Sequence, residues 1–136
     1  CASPSYLKRN GEPTSLSELR GHRLLAAAEQ MPWRLFGNGA NRLFNAECLV
    51  ATNSSEVVRE LAIAGAGIAL RSIWDVAPQL ASGKLKHIMR QYEGSINTAV
   101  FAVHMPEKDA DSAVSAFIEF YRGLFAPHPP WELARV

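Results

Sequence analysis

Between Cys48 and Leu70 the chain reads as strand, helix, strand, and this one unit limits the folds open to it more than any other stretch. Cys48-Leu49-Val50-Ala51-Thr52 is short, apolar and rich in strand formers, and Asn53-Ser54-Ser55-Glu56 then offers a helix start, with Asn53 read as the cap and Glu56 three residues on. Val57, Leu61 and Ala64 recur at helical spacing, and Gly65 supplies the stop. The strand that follows, residues 68–70, is too short and too apolar for an exposed position. It is expected in the middle of a parallel sheet covered on both faces. The chain is therefore read as α/β.

Other elements fit that class. Ser15 and Glu18 have the spacing of a capping box before a short helix that stops at Gly21, and residues 23–28 form a strand candidate. Residues 32–36 and 42–44 flank Gly37-Asn38-Gly39, a hairpin signal because Asn-Gly tolerates the backbone a tight turn requires. A strand is read over residues 47–52, a helix over 73–81 closed by Gly83, and strands over 85–89 and 98–104. Val114, Phe117, Ile118, Tyr121 and Phe125 mark a helix over 112–125, capped by Asp111 or Ser112. Burying four or five such side chains is worth roughly 6–15 kcal/mol as an upper estimate, as much as a whole domain's stability. That stripe is expected to rest on something, in this chain, in another segment or in a partner.

Charge and motifs remove several functions. The 14 Lys and Arg against 13 Asp and Glu give a net charge of +1, spread over both halves, and Lys8, Arg9, Lys84, Lys86 and Arg90 make no stripe that would grip nucleic acid. The longest uncharged run, residues 94–106, is far below the ~20 apolar residues of a membrane helix. His22, His87, His104 and His128 lack metal-site spacing, Cys1 and Cys48 are too few for a disulfide framework, and no nucleophile elbow or Walker lysine occurs. No catalytic residue, metal or cofactor is expected, and a reducing cytoplasm is the default. Gly65-Ala66-Gly67 ends a helix and precedes a strand, the reverse of a dinucleotide loop.

One corner invites a ligand. Thr52, Asn53, Ser54 and Ser55 lie where a parallel strand meets a helix N-terminus, so free N–H groups, the positive end of the helix dipole and short polar side chains converge on a place suited to a carboxylate or another anion. The same residues also read as an ordinary cap, Asn53 with a serine, which spacing alone favours and which is compatible with a ligand site. Trp33, in Met31-Pro32-Trp33, is either a pocket wall or a core aromatic.

The order and spacing of several short motifs add a family. Ala2-Ser3-Pro4-Ser5-Tyr6-Leu7 with Gly11, Pro13, Leu19 and His22, the run 62–70 with its two glycines, Leu80-Ala81-Ser82-Gly83-Lys84-Leu85, Ala102-Val103-His104-Met105-Pro106, Ala116-Phe117-Ile118-Glu119-Phe120 and Pro129-Pro130-Trp131-Glu132 together resemble the effector-binding domain of LysR-type transcriptional regulators. Arg71-Ser72 replaces a proline common after the buried strand, though one subgroup carries Arg-Ser followed by a hydrophobic-Trp-Asp run, here Ile73-Trp74-Asp75.

The resemblance implies a fold like the type 2 periplasmic binding proteins, with one complete Rossmann-like subdomain over residues 5–100. Residues 1–4 and 101–104 would be the crossover strands at the hinge, and 105–136 the C-terminal portion of the other subdomain with the tail. The rest of that subdomain and the N-terminal helix-turn-helix would lie outside this chain, making Cys1 an interior position. A small-molecule effector in the cleft would bias the arrangement of a homodimer or tetramer, with DNA contacted only through the helix-turn-helix. The expected effector contacts are Thr52, Asn53 and Ser54, with Ser3 and Pro4 on the hinge side and Met31 and Trp33 as walls. The other classes held open are a transporter's solute-binding protein of the same fold and a small α/β enzyme.

Overall fold

A computed structural model describes residues 1–94, 101–103, 112–129 and 131. The chain opens with α1 (Pro4–Asn10), where the Ser3 hydroxyl accepts the Tyr6 N–H (3.2 Å) and Pro4 takes the first helical position. The sequence reading places residues 1–4 in a crossover strand and names no helix here. In α2 (Leu16–Leu19) the Ser15 hydroxyl accepts the Glu18 N–H (3.2 Å) as expected. The Glu18 carboxylate reaches back one residue further than in a simple capping box, to the Thr14 N–H (2.8 Å) and hydroxyl (3.0 Å).

Next come β1 (Leu24–Ala27), a hairpin of β2 (Trp33–Gly37) and β3 (Ala40–Phe44), and β4 (Val50–Thr52). The hairpin turns on Asn38 (φ 53°) and Gly39 (φ 73°), two left-handed residues in succession, whose twist suits a two-residue connection. After β4 follow α3 (Ser55–Ile63), β5 (Ile68–Ala69), α4 (Ile73–Ala81) and α5 (Ser112–Phe125). The bounds of α4 and α5 are those read from the sequence.

The sheet has the order β4-β1-β5, all parallel, with Leu25 opposite Val50 on one side and Ala69 on the other. The central strand is thus β1, and this corrects the expectation for residues 68–70. Strand β5 is buried and parallel as read, but it flanks β1, and Cys1 lies along its far edge: Cys1 N donates to Ala69 O (2.7 Å) and Ala69 N to Cys1 O (2.9 Å). Alternation along the strands splits the core between the two faces. Leu24 and Ile68 join Ala2, Tyr6, Leu19, Trp33, Leu35 and Phe44, while Leu25 and Ala69 join Val58, Ala62, Val76 and Leu85 under α3 and α4. Both faces are covered, as a parallel sheet requires.

Gly65 and Gly67 set the entry to β5. Gly65 stands at φ 80° after α3, its N–H on Ala62 O (3.1 Å) and the Ala66 N–H on Leu61 O (2.9 Å), the paired bonds of a Schellman stop. At Gly67 a Cβ would lie 2.4 Å from the Arg23 carbonyl oxygen, because the Ile68 N–H donates to that same oxygen. Gly67→Ala should therefore force β1 and β5 apart and cost about 1–3 kcal/mol, read from the chemical denaturation midpoint.

One expected strand is absent, and another falls largely outside the described residues. Over residues 85–89 there is one bridge, Lys86 opposite Ala2, before the left-handed backbone of Met89 (φ 53°) ends the extended run. Of residues 98–104, only 101–103 are described; they are irregular, with Phe101 79% and Val103 93% exposed, and the remainder of that expected strand lies outside the described residues. The apolar stripe of α5 stacks on itself through Phe117, Phe120, Tyr121 and Phe125, and its outer face stays exposed among the described residues, Phe117 by 60%.

Candidate functional site

The three parallel strands end together at a polar corner. Thr52 closes β4, its carbonyl accepting the Ala28 N–H (2.6 Å) beyond β1 and its hydroxyl accepting the Ser54 N–H (3.1 Å). That turn swings the Ser54 hydroxyl over the start of α3, where it accepts the Val57 N–H (3.3 Å). The expected cap is Asn53 with a serine; the serine part agrees, since Ser54 is the cap, and the Asn53 part is corrected, that residue being left exposed. Thr52 and Ser54 each keep oxygen lone pairs and a hydroxyl proton beyond these bonds.

The other expected contacts divide. Met31 is half-buried in the loop after β1, on the same carboxyl edge of the sheet. Trp33 is a core residue, 3% exposed, with its ring 5.9 Å from that of Phe44 and its Nε1 buried without a hydrogen-bond partner. Ser3 and Pro4 sit at the other end of α3. The Ser3 hydroxyl caps α1 and lies 3.0 Å from where a Gly65 Cβ would be, and Gly65 ends the helix that Ser54 begins. The nine residues of α3 span about 13 Å. Thr52, Asn53 and Ser54 are thus gathered at the carboxyl ends of the strands, Met31 lies in the loop that follows β1 there, and Ser3 and Pro4 lie a helix length away.

Two features of that edge have no counterpart in the sequence reading. Gln30 reaches from the loop after β1 to the end of β5: its Oε1 accepts the Ala27 N–H (3.1 Å) and its Nε2 donates to Leu70 O (2.9 Å). Nothing local in the sequence marks it. Beside it, Asp75 in the first turn of α4 accepts Arg71 Nε (2.8 Å) and Nη2 (2.6 Å) at one oxygen and Arg59 Nη1 (2.7 Å) at the other. Arg71 and Asp75 are nearly buried, with side chains 7% and 6% exposed. The hydrogen bond to Asp75 raises the Arg59 guanidinium above its ordinary pKa, outweighing the opposing effect of burial. Arg59 also meets the exposed Glu60, so two cations face two anions and the network adds no net charge to the corner. The i, i+4 spacing of Arg71 and Asp75 is the one local signal of this cluster.

Two surface hollows, one lined by Glu12, Thr14, Lys86 and Arg90 and the other by Tyr6, Glu18, His22 and Arg23, lie away from this edge. The corner offers a helix N-terminus, two hydroxyls and an exposed amide, with the Met31 thioether in the loop after β1. Among the described residues, no helix is long and apolar enough to cross a membrane.

Comparison with known proteins agrees with this architecture. Residues 1–126 match the model of the LysR substrate binding domain. The chain is 31% identical over 134 residues to the HTH-type transcriptional regulator DmlR of Escherichia coli (strain K12), covering 96% of this chain and 43% of DmlR. It is 34% identical over 124 residues to the HTH-type transcriptional activator TtdR of the same strain, covering 88% of this chain and 39% of TtdR. The chain spans less than half the length of these curated relatives. Among solved structures, the regulatory domain of CrgA from Neisseria meningitidis superposes with a TM-score of 0.72 at 31% identity, over 88% of this chain and 59% of that one. The regulatory domain of AphB from Vibrio vulnificus gives 0.73 at 23% identity over 90% of this chain and 61% of its own, a likeness of fold. A parallel sheet flanked by helices, a family match from the first residue to beyond α5 and regulatory-domain neighbours agree: the chain belongs to the LysR substrate-binding domain family.

Proposed function

We propose that this chain is the ligand-sensing part of a LysR-type transcriptional regulator, taking an anionic small-molecule effector at Thr52, Asn53 and Ser54 with Met31 beside them. The observation that carries the reading is the placement of two hydroxyls and the N-terminus of α3 at the carboxyl ends of three parallel strands, in a chain whose relatives are named as HTH-type transcriptional regulators. Such strand ends at a helix N-terminus are where open α/β sheets bind their ligands.

In this reading residues 5–100 form one subdomain, 1–4 and 101–104 run as crossovers, and 105–136 belong to a second subdomain that completes the cleft. The effector acts by favouring one arrangement of the two, which requires it to bind that arrangement more tightly. The regulator is a cytoplasmic homo-oligomer, a dimer or a tetramer, that performs no catalysis and touches DNA through a helix-turn-helix outside this chain. The relatives are named as regulators and none of those compared as a transport component, which leaves the solute-binding alternative without support.

The test uses the full-length regulator and a panel of two- to six-carbon carboxylates, read by thermal shift and by promoter response. At least one panel member should raise Tm and change promoter output. Ser54→Asp keeps a good N-cap while adding a negative charge at the corner, and should weaken that response at least tenfold with little change in ligand-free stability. Thr52→Ala should weaken it several-fold. A full response from both variants sinks the site assignment, and silence across the panel sinks the anionic ligand class.

A further inference from the structure

The register of β1 against β5 fixes where their next backbone hydrogen bond belongs. With Leu24 opposite Ile68 and Leu25 opposite Ala69, the parallel pattern continues from the Ile68 N–H on Arg23 O to a final rung between the Ala27 N–H and the Leu70 carbonyl. That rung is not made. Ala27 N–H instead donates to Gln30 Oε1 (3.1 Å), and Leu70 O instead accepts from Gln30 Nε2 (2.9 Å). One side-chain amide is spliced into the ladder, satisfying both groups while holding the two strand ends apart by its own width.

We propose that Gln30 is a positioning residue that props open the carboxyl edge between β1 and β5 and so sets the shape of the effector corner. This rests on the reading of that corner given above. The amide accepts from one strand through its oxygen and donates to the other through its nitrogen, with the two atoms far enough apart to bridge the gap. A carboxylate cannot donate, an ammonium cannot accept, and an aliphatic side chain leaves two part-buried backbone groups to close on each other or remain unpaired. The loop so fixed is short and tightly held: Gln30 N–H donates to Ala27 O (3.1 Å), Glu29 is left-handed (φ 64°), Ala28 N–H is tied to Thr52 O (2.6 Å), and Met31 follows at once. A shift of Gln30 therefore moves Ala28 against Thr52 on one side and Met31 on the other.

The splice makes a prediction that a merely space-filling residue would not. In the full-length regulator, Gln30→Glu should melt several degrees below wild type at pH 7.5, where its carboxylate faces the Leu70 carbonyl, and the difference should shrink at pH 5. The sign follows because a carboxyl beside an acceptor titrates above the ordinary ~4.3 of glutamate, so the variant's stability is greatest when protonated and is lost as pH rises. Gln30→Ala should show a deficit that does not vary with pH.

For the positioning role, Gln30→Ala should raise the half-effective concentration of a carboxylate active on wild type at least fivefold, with ligand-free DNA binding unchanged. A Gln30→Glu deficit equal at both pH values overturns the splice, whatever the panel gives. An unchanged half-effective concentration overturns the positioning role alone. A panel without any active carboxylate overturns the anionic reading of the corner and, with it, this role, while the pH comparison still decides the splice.

Discussion

Replacing Asp75 with Asn is expected to destabilise the protein by about 3–5 kcal/mol, because the change strands Arg71 beside a group that no longer carries the opposite charge. Arg71 is 7% exposed and donates twice to a single oxygen of Asp75, so water cannot take over the lost partner without the end of β5 opening. Arg59, at 22% exposed and with Glu60 as a second partner, should contribute little of that loss, and Arg59→Ala alone should cost no more than about 1 kcal/mol. The pair Arg71→Met with Asp75→Leu should recover most of the stability lost in Asp75→Asn, since a buried ion pair often gains little over well-packed apolar side chains. Denaturant midpoints at constant slope are the measurement. A cost below about 1 kcal/mol for Asp75→Asn would show that solvent reaches the guanidinium of Arg71.

Trp33→Ala is expected to cost about 3–5 kcal/mol, the range for deleting a large aromatic side chain from a packed core. The indole is 3% exposed and packs with Phe44, Leu24, Leu35 and Ile88 in the cluster on one face of the sheet. Trp33→Phe should cost only about 1–2 kcal/mol, because it removes an N–H that finds no hydrogen-bond partner and leaves a modest cavity. This separates two roles for the residue. A pocket wall would lose effector response while the fold held. A core residue loses the fold first, and the response of Trp33→Phe stays near wild type.

Local signals carried much of the fold into the sequence. The end of α4 was legible because Gly83 closes it, and the hairpin was legible because Asn38-Gly39 demands a particular backbone. The helix α1 was equally spelled out by Ser3 and Pro4, yet reading those residues only as a crossover strand hid it. Strand order was not legible. Whether β1 or β5 lies in the centre is decided by pairing between residues more than forty positions apart, and both strands are short and apolar. The candidate site divides along the same line. Thr52, Asn53 and Ser54 are contiguous, so one strand-to-helix turn gathers them. Gln30 meets Leu70, and Arg59 meets Asp75, only after the sheet has formed, and no spacing rule reaches that far.

The antiparallel seating of the first residues has a consequence for how the chain is made. Cys1 exchanges hydrogen bonds with Ala69, and Ala2 with Lys86, so a segment made well before β5 is seated between β5 and the still later residue Lys86. At about 5–20 residues synthesised per second, the partner at Lys86 follows Ala2 by roughly 4–17 s. During that interval Ala2, fully buried in the finished protein, lacks its partner, and its outer backbone edge is open to other strands. The sheet therefore closes late in synthesis, and codon changes that slow the stretch before Lys86 would lengthen its most aggregation-prone stage without altering a single contact in the native state.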